Sequence, residues 1–182
     1  EKIKFNRGYG NGIKRGLQVA KGSFLSWTHA DMQTDPNDII RGLNIIESFP
    51  NSDKIFIKGL REGRNLVDNF FTIGMSIFES LLLISPLWDI NAQPTIFHRE
   101  LFDSVIESPD DFSLDLFYYY VALKKKYKIL RLKVFFGDRY YGSSKWNINW
   151  KSRIIFIIRT ISFSFNLIKK LNINKKLLFK KN

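Results

Sequence analysis

The sequence predicts an α/β fold, with helices packed against a sheet. Apolar runs of strand length alternate with segments whose apolar residues recur at helical spacing. Gly and Pro mark the boundaries between them. Residues with ligand chemistry gather just after the apolar strand runs, where open α/β sheets place their sites.

A chain of 182 residues with 45% hydrophobic and 15% aromatic content supports one domain with a real core and argues against disorder. The absence of Cys excludes a disulfide framework and thiolate metal sites, so a bound metal would be held by oxygen and nitrogen. A net charge of +12 calls for an anionic partner: nucleic acid, sugar nucleotide or acidic lipid headgroups. The excess is concentrated at the C-terminus, because no acid follows Asp138 while Lys145, Lys151, Arg153, Arg159, Lys169, Lys170, Lys175, Lys176, Lys180 and Lys181 do. Residues 1–150 therefore read as the domain and residues 151–182 as a basic, apolar tail. No uninterrupted apolar run reaches the roughly 20 residues of a spanning helix, and the start of the chain lacks an initiator Met and a signal-peptide pattern.

In chain order, Gly8, Gly10, Gly12 and Gly16 surround the start of a helix that continues to Ala20, and Gly22 ends it. A Gly-rich helix entry is either a plain turn or a loop that brings backbone N–H groups to a phosphate. Phe24 to Trp27 is a buried strand, whose end delivers His29, Asp31 and Gln33 to a cleft. An imidazole and an amide oxygen at alternate positions around a carboxylate offer ligands to a hard or borderline divalent cation. Asp35 caps the next helix, with Pro36 at its first position.

Asp38 to Phe49 has helical periodicity and Lys54 to Lys58 alternates with period two. Gly59 to Arg64 then reads as a loop carrying Arg61 and Arg64. Asp68 to Ile84 is apolar on every side, and burial is expected because Asp68 and Glu79 would be costly in hydrocarbon. Pro86 stops it. Residues 89–102 read as a loop, a short strand and a helix start, with His98 structural among Phe97, Leu101 and Phe102. Asp110 and Asp111 suit the N-terminal end of an aromatic helix over Leu116 to Leu123, and Lys128 to Phe136 is a strand. Ile154 to Ile168, with Trp146, Trp150 and Lys pairs beside it, has the composition of an interfacial helix. A helix packed on the domain and a truncated spanning helix are the competing readings.

Two segments carry a resemblance. Thr28-His-Ala-Asp-Met-Gln-Thr-Asp-Pro36 resembles the metal-binding segment of GT-A family 2 glycosyltransferases of the dolichyl-phosphate mannose synthase and polyprenyl-phosphate sugar transferase type, usually Asp-Ala-Asp-x-Gln. Phe136-Gly-Asp-Arg-Tyr-Tyr-Gly-Ser-Ser-Lys145 resembles their Phe-x-x-Arg-x-x-Gly-x-Ser-Lys motif at Phe136, Arg139, Gly142, Ser144 and Lys145. The resemblance implies a mixed GT-A sheet flanked by helices, with its first strands preceding Glu1 and a C-terminal interfacial helix. It further implies an inverting, metal-dependent hexosyltransferase at the cytoplasmic face of a membrane, using a nucleotide-sugar donor and a polyprenyl phosphate or cell-envelope glycan precursor as acceptor. Asp31, Gln33 and His29 would hold Mn²⁺ or Mg²⁺, and the exchange of the usual first Asp for His29 favours the softer ion. Gly8, Gly10, Gly12, Arg61 and Ser144 would border the donor or the acceptor phosphate, while Arg139 and Lys145 would clamp phosphate. Asp115 stands where many such enzymes carry a general base. An ionised phosphate acceptor needs no strong base, so Asp115 orienting the acceptor or a Lys, or capping a helix, stays open beside that role. An anionic membrane surface is an expected partner and nucleic acid is not, since the acidic tip would repel a polyanion. A non-catalytic basic lipid- or nucleic-acid-binding module, and a glycosyltransferase made degenerate by His29, are the alternatives.

Overall fold

The computed structural model describes residue 5 and residues 7–31, 33–63, 66–137 and 150–173. Helix α1 (Tyr9–Val19) leads into strand β1 (Phe24–Trp27) and helix α2 (Asn37–Glu47). A 3-10 turn (Ser52–Lys54) then precedes strand β2 (Ile55–Glu62), followed by helix α3 (Leu66–Leu83), strand β3 (Thr95–His98) and the short helix α4 (Arg99–Asp103). Helix α5 (Ser113–Lys124), strand β4 (Lys128–Phe135) and helix α6 (Trp150–Ile173) complete the order. Pro36 is the N-cap of α2 and not its first residue, while the Asp35 carboxylate one position earlier accepts the Asn37 N–H at 2.8 Å.

The strands form one sheet in the order β1-β3-β2-β4. β2 and β4 are parallel, whereas β3 runs antiparallel to both β1 and β2. The strict parallel sheet that simple α/β alternation would give is thus interrupted. The chain between α3 and β3 is an extended loop rather than a right-handed crossover, so β3 enters the sheet from the opposite end. The result is a mixed sheet flanked by helices, consistent with a GT-A-like glycosyltransferase fold. Parallel pairing with β4 also carries β2 through Glu62, so Gly59 to Glu62 is strand and not loop.

Side chains fill both faces of the sheet. On one face Ile55, Ile57, Ile96, Leu132 and Val134 pack with Ile46 of α2. On the other, Leu25, Phe56 and Phe97 meet the aromatic side of α5, along with Leu17 of α1 and Leu167 of α6. Phe56, Phe97 and Tyr118 stack nearly parallel there, with centroid separations of 5.6 and 5.3 Å. α5 is buried along almost its whole length, and this fixes the position of Asp115 in its first turn.

The expectation that α3 is buried is corrected. Leu66, Phe70, Ile73, Ile77, Leu81 and Ile84 form an exposed stripe at helical spacing, while the buried residues of α3 are Ser76, Glu79 and Leu83. The polar residues that seemed too costly for hydrocarbon point into the protein. Ser76 Oγ accepts the Asp89 N–H at 3.0 Å, Ser80 Oγ accepts from Leu87 N and donates to Leu87 O, and Glu79 accepts from the Ser164 hydroxyl of α6.

Burial raises the Glu79 carboxyl above its ordinary range, and the Ser164 hydrogen bond offsets only part of this. The folded-state pKa lies above the unfolded one, so the stabilising contribution is complete below the unfolded value and is lost as pH rises through the folded value. Glu79→Gln is therefore expected to be more stable than wild type at pH 7, with the gap closing towards about pH 4, near the unperturbed Glu pKa. Urea unfolding at the two pH values checks this, and an equal gap at both would contradict it.

Candidate active site

The register of the sheet lines up Trp27 of β1, Thr95 of β3, Lys58 of β2 and Arg131 of β4 as one row across all strands. Their side chains lie on the α5 face, directly under its N-terminal turn. Lys58 is fully buried, and its ammonium is 2.5 Å from Asp115 Oδ1 and 2.8 Å from Thr95 Oγ1. Asp115 also accepts from Trp27 Nε1 at 3.2 Å and from the Tyr9 hydroxyl at 2.7 Å. Gln93 Nε2 bonds the same Tyr9 hydroxyl, and the Tyr9 ring stacks on Phe112 with centroids 4.7 Å apart. Residues distant in sequence thus converge on one carboxylate.

Burial lowers the Lys58 ammonium below its usual pKa, with the Asp115 charge opposing this and the Arg131 charge reinforcing it. Burial first, and then the adjacent Asp115 carboxylate, push the Tyr9 phenol far above its ordinary value. A carboxylate this enclosed, serving three donors, is arranged to hold those donors in place. In this geometry Asp115 is paired with Lys58.

The tip after β1 meets the second motif. Gln33 Nε2 donates to the Gly137 carbonyl at 3.2 Å and Gly137 N donates to the Gln33 carbonyl at 3.0 Å, while the His29 ring stands edge-on to Phe136 at 5.7 Å. From the end of β2, the Arg61 guanidinium lies 5.3 Å from the Phe136 ring centroid. Asp89 clamps it, accepting from Arg61 N and Nε at 2.9 Å each and from Nη2. These Arg61 contacts hold the Asp89 carboxyl below its ordinary range against the opposing effect of burial. His29, Asp31, Gln33, Arg61 and the start of the 136–145 motif therefore share one rim.

His29 is half-buried, and its Nε2 is buried without a hydrogen-bond partner. Burial lowers its pKa, overriding the pull of Asp31 and Asp115, so the ring is neutral at pH 7. A neutral imidazole with an unpartnered buried nitrogen is the form that ligates metal. Asp31 Oδ1 accepts the Gln33 N–H at 3.3 Å, which folds the tip into a tight turn. Among the described residues, no group of three His, Cys, Asp or Glu side chains gathers closely enough to form a cage by itself.

The Gly-rich helix entry packs on the loop before α5. A Cβ on Gly8 would come within 2.7 Å of Asp110 O, and one on Gly10 would meet the carbonyls of Asp111 and Pro109 at 2.7 and 2.8 Å. Asn11 N donates to Asp110 O at 3.0 Å, and Lys14 Nζ reaches both Ser108 O and Asp110 Oδ1 at 2.7 Å. Gly8 and Gly10 thus allow close backbone approach within the fold, whereas Gly12 has open space around its Cα. Arg64, Arg139, Ser144 and Lys145 lie outside the described residues.

Sequence reasoning missed Lys58, Tyr9, Gln93, Trp27 and Asp89. Gly59, the residue after Lys58, stands where a Cβ would meet Gln93 O at 2.4 Å.

No family model matches the chain. A dolichyl-phosphate beta-glucosyltransferase from Dictyostelium discoideum is 27% identical over 108 residues, covering 54% of this chain and 33% of the relative. The similarity is to a glycosyltransferase. The chain spans about a third of that relative's length, and the match supports a glycosyltransferase relationship rather than one particular member.

Proposed function

We propose that this chain is part of an inverting glycosyltransferase that moves a sugar from a nucleotide donor to a polyprenyl phosphate. The observation that carries the reading is the reciprocal Gln33–Gly137 hydrogen bonding, which joins two motifs 104 positions apart at one rim, together with Arg61 against Phe136. The similarity to a dolichyl-phosphate beta-glucosyltransferase supports the acceptor class.

In this reading the acceptor phosphate oxygen attacks the anomeric carbon, the bond to the donor diphosphate breaks on the opposite side, and the configuration inverts. The acceptor is already ionised near pH 7, so no strong base is needed. This agrees with a buried Asp115 that is engaged by three donors. His29, Asp31 and Gln33 would hold a divalent cation, which would supply charge neutralisation to the leaving diphosphate. Arg61, held by Asp89, and Arg139 and Lys145 bind phosphate. Enzyme and acceptor meet at the cytoplasmic face of an anionic membrane, to which α6 and the basic tail attach.

The test is transfer of labelled sugar from a panel of nucleotide sugars into the organic-soluble fraction, with polyprenyl phosphate in vesicles and Mn²⁺ or Mg²⁺ present. Arg139→Lys keeps the charge but loses the bidentate fork. It is expected to lower kcat/KM about 10- to 100-fold, the worth of one charge-assisted hydrogen bond, with the melting temperature unchanged. No transfer from any donor, or a variant that loses stability while keeping activity, would overturn the reading.

A further inference from the structure

The polarity of α3 is inverted relative to a helix of a water-exposed domain. Its inward side is tied down by Ser76, Glu79 and Ser80, as described above, while Phe70, Leu81 and Ile84 are 73%, 75% and 87% exposed. Its 18 residues are long and apolar enough to cross a membrane by length and composition. Spanning, however, would strip the polar side from the 85–89 loop and from α6. A helix held by its polar side and bare on its apolar side needs an apolar medium along that side.

The apolar surface continues onto α6. Phe78 of α3 meets Phe165 of α6 edge-on at 6.5 Å, and Phe165 is itself exposed together with Ile154, Ile155 and Ile158. Lys151 and Lys169 are exposed at the two ends of this stretch, and α6 contains no acid. Apolar side chains bracketed by cations match a bilayer surface with anionic headgroups. A second copy is the poorer occupant, because a two-fold pairing of this face would set α6 cations against α6 cations with no carboxylate on that helix to answer them.

We infer that the exposed stripe of α3, contiguous with α6, is a membrane seat: both helices lie in the headgroup boundary of an anionic bilayer, with Leu66, Phe70, Ile73, Ile77, Leu81 and Ile84 inserted. The inference rests on the membrane attachment proposed above and assigns it a second element.

The experiment uses the full chain and phosphatidylcholine vesicles with and without phosphatidylglycerol. Phe70→Ser/Ile77→Ser/Leu81→Ser should weaken partition onto the anionic vesicles at least about tenfold, with an unchanged melting temperature because the positions are exposed. Lys151→Glu/Lys169→Glu should reduce the preference for anionic over neutral vesicles. Phe70→Trp, a conservative change that keeps the seat, should be quenched by brominated lipid, which gives a readout if the triple variant does not fold. Wild-type-like partition of the triple variant, with the α6 variant defective, would overturn the α3 seat and leave attachment through α6 standing. No binding by the wild-type chain would overturn both. A triple variant that turns a dimer into a monomer without loss of partition would assign the face to a second copy and overturn the seat.

Discussion

Replacing Asp115 with alanine is expected to cost about 3 to 5 kcal/mol of stability, because it strands a fully buried ammonium without its counter-charge. For a chain of this size the loss corresponds to a fall of roughly 6 to 20 °C in melting temperature. Thr95 would remain hydrogen-bonded to Lys58. Removing both charges should behave differently. Lys58→Met/Asp115→Leu replaces the pair with apolar side chains, and such exchanges are commonly neutral or stabilising by about 1 to 4 kcal/mol. The double variant should therefore regain most of the stability, while Tyr9 and Trp27 lose the carboxylate to which they donate. A kcat/KM that stays low in the stable double variant would mark the pair as positioning the cleft. Full recovery of both stability and kcat/KM would show it to be structural, and a double variant as unstable as Asp115→Ala would contradict the account of the buried pair.

Legibility in the sequence followed the physical source of each signal. β1, α2 and α5 were readable because their burial leaves a periodic or aromatic mark in the sequence, and Asp35 because its bond to the Asn37 N–H is a local interaction. The orientation of β3 was not readable, since a four-residue apolar strand looks the same in either direction and only its partners decide. Lys58 was hidden because Lys54 to Lys58 reads as an alternating, half-exposed strand that ends at Lys58, whereas β2 runs on to Glu62 and is buried on both faces around Lys58. α3 misled for the opposite reason. Its composition is apolar all round, so in the sequence its few polar residues read as a cost of meeting lipid, when they are its attachment to the protein.

The site shows the same division. The rim was legible because its residue types are chemically unusual at a strand end. The support beneath it was not, because Tyr9, Gln93 and Asp89 are ordinary residues whose meaning comes from what they touch. Gln93 links the two levels. It bonds Tyr9 in the buried network, while its backbone, packed over Gly59, holds down the strand that continues to Arg61. A disturbance at Asp115 is thereby expected to reach the rim through β2.

Asp31→Asn is expected to reduce cation-dependent sugar transfer by about 10²- to 10³-fold, the usual loss when a group stabilising transition-state charge is removed. The fold should survive, because the asparagine side-chain oxygen can still accept the Gln33 N–H that closes the turn. Chelation of the cation should lower the wild type to the level of the variant and leave the variant unchanged, since two disruptions of one site do not add. The neighbouring His29→Asp change tests the same site from the other side. It replaces a neutral imidazole with a carboxylate, adding a negative charge and a hard oxygen donor. The preference should therefore move from Mn²⁺ towards Mg²⁺. Steady-state transfer titrated with each ion, with thermal melts of the same samples, measures both effects. Unchanged turnover in Asp31→Asn with the cation still required, or an identical ion preference in His29→Asp, would place the cation elsewhere in the chain.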